Sequence, residues 1–291
     1  MKIGIVGLPN VGKSTLFQTI TKKKVDISNY SFCTINPNVG VAVVPDQRLE
    51  KIAEIVKPEK IIPAIVEFVD IAGLVRGAHK GEGLGNQFLS HIYTVDAILL
   101  VIRCFEDEKI AHVENEINPR RDFEIIKNEL ELKDTFTAPE EALSKKPFIY
   151  ICNIKSAGKN NSFEKCDLEI DFRLELEASE MSSEEQKEIG FESAMPKLIS
   201  LAYKTLNLIT FYTIKGGKEL RASALEKGKT APEAGEKIHS DFKEKFIRAE
   251  VINYDKFMET GSWSRAREAG LLRTEGKNYI VRDGDIIEFK I

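Results

Sequence analysis

Cysteine is scarce in this chain, and none of it stands in the C-x-x-C spacing that zinc sites and redox motifs use. Cys33, Cys104, Cys152 and Cys166 sit mostly in apolar or motif-like surroundings, which predicts buried, reduced thiols rather than disulfides or a metal site. Long apolar runs are missing too. The longest strongly apolar stretch, "AILLVI" at 97–102, is far too short to cross a bilayer, and the opening "MKIGIVGLPN" holds no long apolar leader. The expectation is a cytoplasmic protein with no membrane association. Nor is there an excess of positive charge: 42 Lys and Arg stand against 46 Asp and Glu, for a net charge of −4. Any contact with nucleic acid must therefore be local. Internal repeats and low-complexity tracts are absent.

What is present is a regular alternation. Short apolar runs, "KIGIV" near the start, "AIVEFVD" at 64–70, "AILLVI" and "PFIYICN" at 147–153, are separated by polar, helix-compatible stretches. That pattern belongs to buried parallel strands with covering helices, and it predicts a doubly wound, mostly parallel α/β domain over residues 1–205. The polar segment "TFTAPEEALSKK" at 135–146 reads as a connector within it. After residue 205 the texture shifts to short strands and turns, with Gly216-Gly217 and Asp283-Gly284 as turn signals, which predicts a small α+β domain over 206–291. Within 207–291, 16 basic residues face 14 acidic ones, a weak preference for an anionic partner. The 291 residues suffice for two such cores.

The chemistry is concentrated in "GLPNVGKST", Gly7 to Thr15, which fits G-x-x-x-x-G-K-[ST] between a strand and a helix. The glycines let backbone N–H groups from Asn10 through Thr15, Val11 and Gly12 among them, wrap phosphates. Lys13 offers an ammonium to the β and γ oxygens, and the Ser14 hydroxyl can ligate Mg²⁺. Asp70 ends an apolar run where a Walker B aspartate holds the metal, Gly73 follows in Asp-x-x-Gly, and Thr34 lies where a switch threonine completes the metal shell. This is a nucleoside triphosphate site with Mg²⁺ as its cofactor.

Three longer stretches, "NYSFCTINPNVGVAVVPDQRL" at 29–49, "DIAGLVRGAHKGEGLGNQFL" at 70–89 and "VIRCFEDEKIAHV" at 101–113, closely resemble the YchF family of Obg-like ATPases. The C-terminal "FYTIKGGKELRASALEKGKTAPEAGEKIHSDFKEKFIRAEVINYD" and "EGKNYIVRDGDIIEFKI" resemble that family's TGS domain, a ubiquitin-like β-grasp module. The resemblance implies a P-loop NTPase that prefers ATP to GTP and works with the ribosome or ribosomal RNA, or in stress responses. It also implies that Leu74, where many relatives of the wider class carry a water-orienting Gln, is a family trait. His112 then becomes the candidate for positioning the attacking water, and Asn10 a candidate ligand for K⁺ beside the phosphates.

Two departures from the family stand out. GTPases read guanine with Asn-Lys-x-Asp, whereas this chain has "NIKS", Asn153, Ile154, Lys155 and Ser156. Loss of that carboxylate removes about 1–3 kcal/mol of guanine's advantage, and Ser156 also departs from the family's Asn-x-x-Glu. Asp171-Phe172-Arg173 stands where Ser-Ala-Lys is usual. The second departure is the short connector at 135–146, where family members carry a long coiled-coil hairpin. Two functions stay open: a monomeric, ribosome-linked ATPase switch, or a nucleotide-gated ribosome- or RNA-binding module, GTP-preferring included, in which hydrolysis is incidental. In the C-terminal region His239 and Asp241 read as structural, and Phe242 and Phe246 as one packed helix face.

Overall fold

The computed structural model describes residues 1–22, 29–30, 38–71, 91–135 and 142–291. They form two compact units. In the first, six strands run in the order β2-β4-β1-β5-β6-β7: β1 (Lys2–Val6), β2 (Val39–Val43), β4 (Ile65–Asp70), β5 (Ala97–Arg103), β6 (Phe148–Asn153) and β7 (Leu168–Ile170). β1 pairs in parallel with β4 on one side, Ile5 opposite Asp70, and with β5 on the other, Ile5 opposite Leu99. Every residue of β5 is buried, which is why its sequence is a continuous apolar run rather than an alternating one. Parallel neighbours require crossovers, and helices such as α1 (Lys13–Thr21) and Pro119–Asp134 supply them. The latter is started by Asn118, whose side chain accepts from the Arg121 N–H, with Pro at the first helical position.

The carboxyl end of β1 is where the chain order diverges to β4 on one side and β5 on the other. In open α/β sheets ligands settle at such a switch point, and the Gly7–Thr15 loop begins there.

The second unit is built on the sheet β11-β10-β12-β8-β9-β3, comprising β3 (Lys60–Ile62), β8 (Leu208–Lys215), β9 (Glu219–Glu226), β10 (Arg248–Asn253), β11 (Arg273–Glu275) and β12 (Asp285–Lys290). β8 and β9 form an antiparallel hairpin closed by Gly216 and Gly217, both with positive φ, as the turn signals predict. β12 lies parallel to β8 and antiparallel to β10, so the outermost strands of the sequence segment meet in the centre, the β-grasp order. Phe211, Leu225, Val251 and Ile287 centre the core. Phe246 is buried, and both it and Phe242 pack on the Phe289 ring, but Phe246 lies beyond the end of the helix Ser240–Glu244, so the two rings pack there without sharing the helix face that their spacing predicts. Two short helices follow "GKTAP", Ala231–Glu236 and Ser240–Glu244. His239, in extended conformation, starts the second by accepting the Asp241 N–H on Nδ1.

The linear boundary at 205/206 needs correction. Val43–Ile65 belong to the second unit together with Asn207–Ile291. The physical reason is pairing: β3 adds in parallel to the edge of β9, Lys60 opposite Glu219. Helix α2 (Gln47–Val56) is held to the same unit by an Arg48–Asp283 ion pair of 2.7 Å and by the Tyr212 hydroxyl bonded to Asp46. Cys104 and Cys152 are buried and unpaired as expected, while Cys166 is half-buried and Cys33 lies outside the described residues. Among the described residues no helix is long and apolar enough to cross a membrane.

Candidate nucleotide site

The loop after β1 is shaped by two close approaches. A methyl group on Gly7 would stand 2.7 Å from the Val101 carbonyl oxygen, and one on Gly12 would stand 2.4 Å from the Asn153 side-chain nitrogen. Gly12 also has φ +104°, a left-handed value that L side chains resist. Asn10 takes φ +63°, which asparagine tolerates better than most residues. Its amide nitrogen donates to the Ala111 carbonyl at 3.2 Å, tying the phosphate loop to the 105–112 segment.

Lys13 is 8 % exposed, and its ammonium donates to the Leu8 carbonyl at 2.9 Å. Burial lowers its pKa to about 8, opposed by the attraction of Asp70. Burial likewise raises the pKa of Asp70, opposed by Lys13 and by the hydrogen bond from Ser14. Desolvation outweighs mutual attraction for both groups. An anion beside Lys13 and a cation beside Asp70 would each restore charge that the site disfavours, which is the electrostatic signature of a place for a metal-bound polyphosphate. The Ser14 hydroxyl lies 3.4 Å from an Asp70 carboxylate oxygen. A hydroxyl and a carboxylate so placed are the hard oxygen donors that Mg²⁺ takes, so the residues present fit that ion.

Lys13 and Ser14 open on a cavity of about 760 Å³ in the first unit. Asn10, Gly12, Lys13, Ser14 and Thr15 line one end, and Asn153, Ile154, Ser156 and Asp171 line another part of its wall. Val11 is brought to the site by its backbone only: its side chain is buried, and its carbonyl accepts from the Asn153 amide nitrogen at 2.9 Å. Asn153, 5 % exposed, also receives the Phe172 N–H on its side-chain oxygen at 3.4 Å. It is a strut between β6, the phosphate loop and the helix Phe172–Ala178. Gly73 and Thr34 lie outside the described residues.

His112 is not part of the cavity lining. Its side chain is 4 % exposed, Nε2 stands 2.8 Å from a carboxylate oxygen of buried Asp122, and Nδ1 accepts the Glu114 N–H at 3.2 Å. Both ring nitrogens are engaged, so in this arrangement neither can orient a water. Sequence reasoning passed over Arg103. Its guanidinium, buried at the end of β5, donates to the carbonyls of Phe105, Asp107 and Ile110 at 3.1, 3.2 and 3.1 Å, and those three residues line the cavity. An arginine closing an otherwise apolar strand was the available signal.

Residues 2–153 match the family model described as a 50S ribosome-binding GTPase, and residues 208–291 match the YchF-GTPase C-terminal model, described as a protein of unknown function. The ribosome-binding ATPase YchF of Escherichia coli O157:H7 is 40% identical over 357 residues, spanning 99% of this chain and 98% of that protein. The chain belongs to the YchF family. The Bacillus subtilis ribosome-binding ATPase YchF is 38% identical, again across 99% of the chain and 98% of the relative. The structure of the Schizosaccharomyces pombe YchF GTPase superimposes with a TM-score of 0.82 at 32% identity, covering 100% of this chain and 97% of that one. The bacterial alignments are longer than this chain's 291 residues, so these YchF relatives contain stretches with no counterpart here.

Proposed function

We propose that this YchF-family chain binds and hydrolyses Mg²⁺-bound nucleoside triphosphate, with ATP favoured over GTP, and that the cycle serves a ribosome-linked switch. The observation that carries the chemistry is the desolvated Lys13 beside the Ser14–Asp70 pair on one phosphate-binding loop. Backbone N–H groups of the loop and the first turn of α1 cradle the phosphates. Lys13 exchanges the Leu8 carbonyl for phosphate oxygens, and Ser14 with Asp70 holds the metal. When bound there, Mg²⁺ offsets charge on the transferred phosphoryl group. Relatives are named ribosome-binding ATPases in bacteria and a GTPase in Schizosaccharomyces pombe, so the base is argued from this chain's own residues. The carboxylate of a guanine reader is absent at Ser156, which supports ATP.

The K⁺ role of Asn10 stays a proposal. Its nitrogen is the atom bonded to Ala111, and its oxygen is the atom a cation would use. The β-grasp order supports reading 206–291 as a TGS domain, and ribosomal RNA is the partner proposed for it. A cytoplasmic, monomeric protein completes the proposal. The second reading, a nucleotide-gated ribosome-binding module with incidental hydrolysis, is favoured by the engagement of both His112 nitrogens.

Calorimetric titration with Mg-ATP and Mg-GTP, with Lys13→Ala as control, tests the nucleotide. Tighter ATP binding lost in the control is expected, and tighter GTP binding overturns the assignment. Ribosome-stimulated turnover separates the two functional readings, because nucleotide-dependent ribosome binding that survives in a hydrolysis-dead variant favours the second.

A further inference from the structure

The cavity wall around Asn153 holds several polar side chains, and most are committed elsewhere. Asn153 uses its amide nitrogen on the Val11 carbonyl and its oxygen on the Phe172 N–H. Lys155 reaches toward Asp107 at 3.5 Å, and Arg173 is paired with Glu177 at 2.8 Å. Asp171 differs. One carboxylate oxygen accepts the Ser156 N–H at 2.8 Å and the other the Leu174 N–H at 3.0 Å. A carboxylate oxygen has two acceptor positions, so each retains capacity for a second donor. The group is fixed by two backbone bonds, half-buried, and on the cavity lining. Apolar side chains of Phe105, Ile110, Ile154, Phe172 and Leu174 line the same cavity, a setting that suits a flat heterocycle.

We infer that Asp171 is the base-reading group of this site and accepts the exocyclic 6-amino group of adenine. The two positions have exchanged chemistry: Ser156 stands where GTPases carry the reading carboxylate, and a carboxylate stands at 171, bonded to the backbone of 156. Because it is held in place before the ligand arrives, little ordering cost is left to the binding step. Its charge strengthens a hydrogen bond from an amino group and disfavours any base edge that presents only acceptors there. The inference rests on the ATP reading above and names what would enforce it.

The test compares ATP with purine riboside 5′-triphosphate, which carries hydrogen in place of the 6-amino group, by calorimetry on the full chain with Mg²⁺. Wild type is expected to bind ATP about tenfold more tightly, the effect of one charge-assisted hydrogen bond. Asp171→Ser, which retains a helix N-cap, is expected to bind the two equally. Should that variant fail to fold, Asp171→Asn keeps the shape, and its preference should fall several-fold. A tenfold preference that survives in a folded Asp171 variant overturns the inference and leaves the ATP reading intact. So does a preference erased by Ser156→Ala but not by Asp171→Ser, which would make the hydroxyl the reader. Wild type that binds GTP and not ATP removes both.

Discussion

Raising the pH from 7 to 9 should weaken nucleotide binding through Lys13 alone. Burial lowers its pKa from 10.5 to about 8 in the free protein, so the ammonium is about nine-tenths populated at pH 7 and about one-tenth at pH 9. If only the charged form receives the γ-phosphate, the dissociation constant rises about tenfold across that interval. Over the same range the protein takes up close to one proton on binding at the upper end, since bound phosphate restores the charge. Stability moves the other way. A lysine whose folded pKa lies below its unfolded value destabilises the fold while charged, so that cost is present below about pH 8 and is relieved as the pH rises toward 10.5. The 2.5-unit gap corresponds to about 3 kcal/mol at most. Titration calorimetry at pH 7, 8 and 9 in two buffers of different ionisation enthalpy reads both the constant and the proton count. A dissociation constant flat from pH 7 to 9 with no proton uptake would refute the account, and Lys13→Met should remove the pH dependence along with most of the affinity.

Gly12→Ala is expected to cost about 2 kcal/mol or more, from left-handed strain and from the clash with Asn153, and to abolish ATP binding; denaturant titration and calorimetry check it. Arg103→Lys can satisfy only part of the three-carbonyl set, so stability should drop by about 2 kcal/mol and the KM for ATP should rise more than kcat falls. His112→Ala strips the partner from a buried carboxylate and should destabilise by about 1–3 kcal/mol, with Asp122→Ala matching it in melting temperature and turnover. A turnover loss specific to His112→Ala at unchanged stability would return the histidine to the chemistry. Tyr279→Phe removes a 2.7 Å hydrogen bond to Asp285, which is fully buried, and should cost about 2 kcal/mol in chemical denaturation.

The strands and the phosphate loop were legible because their signals are local. "AILLVI" is a strand buried on both faces and has no polar position to interrupt it, and Gly7 to Thr15 carries its own strand-loop-helix context. What was not legible depended on which distant residues meet. Nothing in "KII" at 60–62 says that it will pair with Glu219–Arg221 rather than join the sheet whose sequence surrounds it. His112 matched a recurring family position, yet its role turns on Asp122, ten residues on, and on a backbone N–H that no pattern displays. Arg103 was hidden for the opposite reason: an arginine among apolar residues reads as a strand end, while its three acceptors are carbonyls, which every residue has.

The same distinction governs the base site. A motif assigns recognition to a position in sequence, but a base edge meets only a donor or acceptor at a point in space. In this chain the fourth residue of "NIKS" has lost the carboxylate, and a window of four residues reads that as lost selectivity. The fold brings Asp171 within hydrogen-bonding distance of the Ser156 backbone, so a negative group still sits beside that point, oriented by two N–H donors rather than by its place in a motif. The two carboxylate placements need not read alike. A guanine reader presents both oxygens to two adjacent donors, whereas each Asp171 oxygen already holds one backbone donor and has one acceptor position remaining. One acceptor position thus stays open on each oxygen, and the exchange of two residues leaves the site with a base-facing carboxylate whose reading of the 6-amino group the Asp171→Ser comparison measures.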